Sequence, residues 1–188
     1  VWSYQPDGAE QVLFLSSKTN YSGQNALRDG VPVIFPWFAR GRDGKNELMH
    51  GIARLHTWHL NTVKDTLDRD GRLIVEYLLD SAMTHGEPGT LDHYTASLRA
   101  KFTPEYLGLS LQVTNEGDEP ITFEEAFHTY LAVDDVGQIS IEGLDGLSYI
   151  DKLTGSTEVQ SGDVRFTGEV DRIYEHRGTA TVVDPVMG

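Results

Sequence analysis

Two neighbouring stretches alternate polar and apolar residues one by one, and they constrain the fold more than anything else in the chain. Residues 95–103 alternate throughout; after a short break Leu107, Leu109, Leu111 and Val113 alternate with Gly108, Ser110 and Gln112. Successive side chains on a strand point to opposite faces, so each run has one apolar and one polar side. Paired, they make half-buried antiparallel strands.

The rest of the chain fits the same architecture. Short runs at 12–15, 58–63, 73–79, 138–142, 161–166, 171–174 and 179–183 read as further strands. Between them lie turn-rich segments: 20–30, 41–47, Asp68-Arg69-Asp70-Gly71, 81–92, 115–120 and Gly143-Leu144-Asp145-Gly146. No stretch carries a convincing amphipathic helix. Many short strands, spaced roughly 8–12 residues apart, indicate an all-β sandwich or barrel. The run Val31-Pro32-Val33-Ile34-Phe35-Pro36-Trp37-Phe38 is apolar. Its two prolines lack the amide proton a central strand must donate, so an extended segment packed over the core is expected.

A chain of 188 residues can bury a sizeable core, and one domain over 1–188 is expected. No apolar run approaches the roughly 20 residues that span a bilayer, and no secretory signal is visible. With no cysteine there are no disulfides, thiolate metal sites or cysteine nucleophiles, and a cytoplasmic home fits. The formal net charge of -14 argues against nucleic acid as a partner, because phosphate backbones are held by clustered Lys and Arg. A small anion remains possible. Charges beyond a Debye length of about 8–10 Å are screened, so two or three arginines make a pocket locally positive.

The stretch Phe123-Glu124-Glu125-Ala126-Phe127-His128-Thr129-Tyr130-Leu131 reads as a strand. Alternation puts Glu124, Ala126, His128 and Tyr130 on one face, with Phe123, Phe127 and Leu131 on a core face. His128 suits acid or base work near neutral pH. Taken alone, it reads equally as a partly buried, hydrogen-bonded histidine. Arg28 leaves a Gly-rich loop, and Arg54 follows the small residues Gly51 and Ala53. Two guanidinium forks grip a phosphate or carboxylate well, although spacing alone reads more simply as two surface arginines in salt bridges.

Other groups leave similar choices. His50, His56, His59 and His128 raise the question of a metal. On a helix His56 and His59 would share a face, on a strand they would not, and no metal site is expected. Asp171 can accept hydrogen bonds from sugar hydroxyls or pair with Arg172 or Arg165. Trp37, Phe38, Trp58 and Tyr130 form either a sugar-stacking wall or core.

Five sets of motifs stand in a telling order. They are Ala26-Leu27-Arg28-Asp29-Gly30 running on to Phe38, His50-Gly51-Ile52-Ala53-Arg54, and Glu125-Ala126-Phe127-His128-Thr129-Tyr130. Then come Gly143-Leu144-Asp145-Gly146 with Tyr149-Ile150-Asp151-Lys152, and Thr167-Gly168-Glu169-Val170-Asp171-Arg172-Ile173-Tyr174. In order and spacing they resemble the aldose 1-epimerase (galactose mutarotase-like) superfamily, and within it the glucose-6-phosphate 1-epimerase branch. The resemblance spans most of residues 12–174.

It implies a large antiparallel β-sandwich of the galactose-mutarotase type that interconverts the α and β anomers of a hexose 6-phosphate with no metal or organic cofactor. By the same resemblance His128 is the general acid that protonates the ring oxygen. Arg28 and Arg54 bind phosphate, His50 contacts substrate and Asp171 binds sugar hydroxyls. A small sugar phosphate is the implied partner, without nucleic acid or membrane, and a monomer is expected. Two departures stand out. Asp29 replaces a glycine usual in the family, adding a carboxylate beside the phosphate site. The family's general-base glutamate, which follows a Trp-Asn-Pro-like stretch, has no counterpart in the motif order, and neither Glu169 nor Glu175 takes its place. The sandwich is therefore expected to be incomplete at both termini, with the base outside this chain. The alternatives are an epimerase for unphosphorylated sugars and a non-catalytic carbohydrate-binding sandwich.

Overall fold

The computed structural model describes residues 1–17, 19, 28–66 and 71–187. Most of the expected loop 20–30, including the start of the first motif at Ala26 and Leu27, lies outside the described residues, as does the expected turn at Asp68-Arg69-Asp70. Contacts divide the chain into two compact units, Val1–Ala132 and Val133–Gly188. Every strand ladder in both is antiparallel. The described residues hold no helix, hence none long and apolar enough to cross a membrane.

In the first unit the strands are β1 (Val33–Ile34), β2 (His59–Asp65), β3 (Leu73–Asp80), β4 (Tyr94–Phe102), β5 (Leu107–Asn115) and β6 (Ala126–Phe127). A four-stranded sheet runs β2-β3-β4-β5. Its register aligns the alternating side chains in rows: Leu79, Ala96 and Val113 in one, Tyr77, Leu98 and Leu111 in the next. These rows form the apolar face that the sequence pattern demanded. A second layer covers it, made by the pair β1-β6. Val33, Phe35 and Ala53 pack there against Leu79, Tyr94, Ala96 and Leu98.

The proline-containing segment is thus part of the core, more deeply than expected: Ile34 and Phe35 are fully buried. Sequence and geometry reconcile because Pro32 and Pro36 flank the two-residue ladder without entering it. They lack a donor but keep their carbonyls, which accept the N–H groups of His128 at 3.0 Å and Glu124 at 2.9 Å.

The stretch 123–131 departs from a regular strand in a related way. Only Ala126 and Phe127 pair in a ladder, yet the backbone runs on beside its partner, with Tyr130 donating to the Gly30 carbonyl at 2.8 Å. Of the expected core face, Phe127 alone packs against both apolar clusters of this unit. Phe123 touches Phe35 at the edge (ring centroids 5.4 Å) and Leu131 is exposed. The short run 12–15 contributes one isolated bridge, Leu13 to Leu131.

The second unit holds β7 (Ser140–Glu142), β8 (Ser148–Asp151), β9 (Thr157–Val159), β10 (Val164–Arg165), β11 (Arg172–Tyr174) and β12 (Thr181–Val183). They form two three-stranded sheets, ordered β10-β7-β12 and β11-β8-β9.

Candidate active site

The site is built where the second layer turns back on itself. After Pro36 the chain reaches Ala39 and makes a loop that returns at His50. Ala39 and His50 both adopt left-handed backbone, with φ of 50° and 66°. Gly51 follows at φ +67°, where a Cβ would lie 2.1 Å from the Phe35 carbonyl oxygen, so only glycine fits. That same oxygen accepts the N–H groups of Ile52 (3.0 Å) and Ala53 (3.1 Å). The tight approach forces the motif His50-Gly51-Ile52-Ala53-Arg54 to present its first and last side chains outward while Ile52 and Ala53 are buried.

His50 and His128 meet here. Their rings lie 5.8 Å apart, edge to face. Phe38 flanks His50 at 5.0 Å, and Tyr130 stacks on His128 at 4.8 Å. His128 and Tyr130 are two apart on extended backbone, so they share a face as their spacing predicts. The partly buried Phe127, just before His128, anchors the other side against both apolar clusters.

Arg54 completes the cluster. Its guanidinium donates from Nη2 to the Met49 carbonyl at 2.6 Å, while its buried Nε has no hydrogen-bond partner. Burial lowers the Arg54 pKa, the Tyr130 hydroxyl opposes that, and the positive charge of Arg28 lowers it further. Arg54, half-buried and with an unused donor, can add a charge-assisted bond to an anion. Arg54 stays charged at any ordinary pH. The exposed Arg28 precedes Asp29, whose buried carboxylate accepts the Ser16 N–H at 2.6 Å. The departure at position 29 thus acts in holding the loop end.

Four of the five expected residues gather in the first unit: Arg28, His50, Arg54 and His128. Asp171 belongs to the second unit. It is exposed beside β11, and its carbonyl accepts the Lys152 N–H at 2.8 Å. Neither arginine offered as its partner pairs with it: Arg172 faces Asp151 at 3.8 Å and Arg165 faces Asp163 at 3.8 Å. His56 turns toward Glu87 at 3.8 Å. Among the described residues no group of three or more His, Asp or Glu side chains is placed to hold a metal ion.

The aromatic wall divides. Phe38 and Tyr130 stand at the site, whereas Trp37 is buried, with its indole N–H on the Leu48 carbonyl. Trp58 packs against the main core cluster and donates to the Ala53 carbonyl. A cavity of ≈ 500 Å³ in this unit is lined by Val33, Trp58, Tyr77, Leu98 and Phe102 and reaches Arg54 from the core side. It includes neither His50 nor His128; its lining is mostly apolar, with Asp29, Arg54 and His56 as its charged or titratable members. Sequence reasoning missed two groups, the Ala39 N–H and the Glu124 carboxylate. Both act through backbone bonds that no residue pattern displays.

Comparison with known proteins bears on the family and the fold. The aldose 1-epimerase family matches along residues 1–188. A protein of Escherichia coli K12 named "Putative glucose-6-phosphate 1-epimerase" is 31% identical over 185 residues, covering 97% of this chain and 59% of its own. A protein of the same name from Cenchrus ciliaris is 30% identical over 182 residues, covering 93% and 54%. The crystal structure of a "putative mutarotase" from Salmonella typhimurium superposes with a TM-score of 0.83 at 28% identity, over 97% of this chain and 59% of that one. The chain spans a little over half the length of these relatives.

Proposed function

Because the chain belongs to the aldose 1-epimerase family, we propose that it interconverts the α and β anomers of a hexose 6-phosphate, glucose 6-phosphate foremost. One observation supports the substrate class: Arg54, in the motif that presents His50 to His128, has a buried Nε donor with no hydrogen-bond partner. An unphosphorylated sugar would bring no counter-charge to that guanidinium.

In this reading the 6-phosphate docks on Arg28 and Arg54 and sets the pyranose ring against the two imidazoles. A base takes the proton of the anomeric hydroxyl, the bond between C1 and the ring oxygen breaks, and His128 delivers a proton to that oxygen. Rotation about C1–C2 and reclosure on the opposite face return both protons. His50 contacts the sugar. The base is a glutamate in the family pattern; the reading takes it from outside these residues. General acid catalysis by one placed side chain is worth ~10²–10⁴-fold.

Two-dimensional exchange NMR on glucose 6-phosphate tests this. Anomer exchange should be faster with the protein than without it and fall by ~10²–10⁴-fold in His128→Asn. Binding of the sugar phosphate without any acceleration, with the segment that carries the base present, would favour the non-catalytic alternative. Acceleration untouched by His128→Asn would remove that residue from the reaction.

A further inference from the structure

Each nitrogen of a neutral imidazole either donates or accepts, and its partner decides which. At His50 that partner is a backbone amide. The Ala39 N–H points at Nδ1 with N to N 3.2 Å, and in return the Ala39 carbonyl accepts the His50 N–H at 2.6 Å. A backbone N–H can only donate. Nδ1 must therefore present its lone pair, and the ring proton sits on Nε2, the nitrogen across the ring.

The amide that enforces this stands in an unusual place. Ala39 has left-handed backbone, which a residue with a Cβ adopts only when its surroundings impose it. On the approach side the segment that leads into it is held by Glu124. Its backbone N–H binds the Pro36 carbonyl at 2.9 Å, and its carboxylate Oε2 accepts the Phe38 N–H at 3.1 Å. Three successive links result: Glu124 holds Phe38, Phe38 leads directly into Ala39, and Ala39 caps His50. The Glu124 side chain is only part-exposed, and its other oxygen faces the Arg42 guanidinium at 3.6 Å.

We infer that His50 is locked as the Nε2–H tautomer, a fixed hydrogen-bond donor toward the sugar, and that Glu124 is the positioning residue that maintains this lock through Phe38 and Ala39. A fixed donor fits an oxygen lone pair on the substrate. It leaves proton transfer to His128 and makes the two histidines unequal. The sugar in this statement rests on the function proposed above; the tautomer does not.

Long-range proton–nitrogen correlation NMR of the histidine rings, on the protein without substrate, reads the tautomer directly. His50 should show a bare, acceptor-type Nδ1 and a protonated Nε2. Glu124→Ala should move both nitrogens toward their averaged positions, and Glu124→Gln, which keeps an acceptor oxygen for Phe38, should stay with the wild type. In the anomer-exchange assay Glu124→Ala should raise KM for the sugar phosphate several-fold, with the Gln variant near wild type. Three results would overturn the inference: a protonated Nδ1 in the wild type, an unmoved tautomer in a folded Glu124→Ala, or a Gln variant that behaves as Ala. If the wild type shows the tautomer but no anomer exchange, the function fails and this inference stands.

Discussion

The β3–β4 ladder and the stretch that carries the two histidines belong to one compact unit, yet they satisfy their backbones by opposite means. Between β3 and β4 eight consecutive residue pairs run in unbroken register, from Leu73 with Phe102 to Asp80 with Thr95. Backbone groups there find their partners by position along the strand. In the histidine-bearing layer, β1 and β6 share only two pairs. Beyond them the backbone relies on particular groups: the Pro32 and Pro36 carbonyls, the Glu124 carboxylate, the His50 ring and the Arg54 guanidinium. Ala39 and His50 also hold left-handed backbone, at about 1–2 kcal/mol each. The lesson is that the sheet supplies stability that many sequences could supply, while the site borrows that stability to hold a geometry few could reach.

Truncating one core residue from each region tests that division most severely. Phe35 is fully buried, packs its ring against Tyr94 at 5.4 Å, and offers the carbonyl on which the Gly51 turn closes. Leu79 is as deeply buried but belongs to the sheet. Phe35→Ala should cost about 3–5 kcal/mol and Leu79→Ala about 2–5 kcal/mol of stability in urea unfolding. They should part in the anomer-exchange assay. Leu79→Ala should keep its rate per folded molecule, and Phe35→Ala should lose most of it. Equal losses of rate would mean that the sheet and the site are not separable in this way.

Arg54→Ala asks whether the histidine-bearing layer is built around an anion. Hydrogen bonds to charged groups contribute about 1.5–3 kcal/mol. Affinity for glucose 6-phosphate should fall by roughly that amount in titration calorimetry, and affinity for glucose should hardly move. Parallel losses for both sugars would take Arg54 out of phosphate recognition and return the site to unphosphorylated substrates.

The contrast also explains what the sequence made legible. Strands β2 to β5 appear in it within a residue or two, because a period of two is written by adjacent residues and needs no knowledge of the partner strand. His128 and Tyr130 come out on one face for the same reason. The pairing of His50 with His128 was beyond such reading, as it joins motifs some 80 positions apart, and only the resemblance to a family put them in one site. Nothing marks Ala39 or His50 as left-handed, since neither is glycine. Glu124 stands in the same stretch as His128, but the partner of its carboxylate is a backbone amide on a distant segment. Strands β8 and β9 were missed because they are short and largely exposed, with little apolar alternation to read. Trp37 and Trp58 carry the same side chain as a sugar-stacking residue, and only their indole bonds to the Leu48 and Ala53 carbonyls reveal them as scaffold.

The second unit offers a gentler version of the same contrast, in which a side chain again stands in for a ladder. The Asp184 carboxylate collects three backbone N–H groups: Asp134 at 2.9 Å, Val186 at 2.9 Å and Met187 at 3.1 Å. These bonds favour the charged form and hold its pKa below the ordinary carboxylate value, Asp134 contributing most. The sign follows from linkage. A carboxyl with a lower pKa folded than unfolded adds stability above its unfolded pKa, and that stability is lost as pH falls through the folded value. Thermal melting of the wild type and Asp184→Asn should therefore differ most from neutral pH down to about pH 5. The gap should close below the ordinary carboxylate range, where the aspartate is protonated and the two side chains become nearly equivalent as acceptors. A constant gap across that range would show that Asp184 stabilises through shape and not charge. A gap that widened on acidification would contradict the hydrogen-bonded carboxylate outright, and with it the view that irregular backbone here is held by ionised side chains.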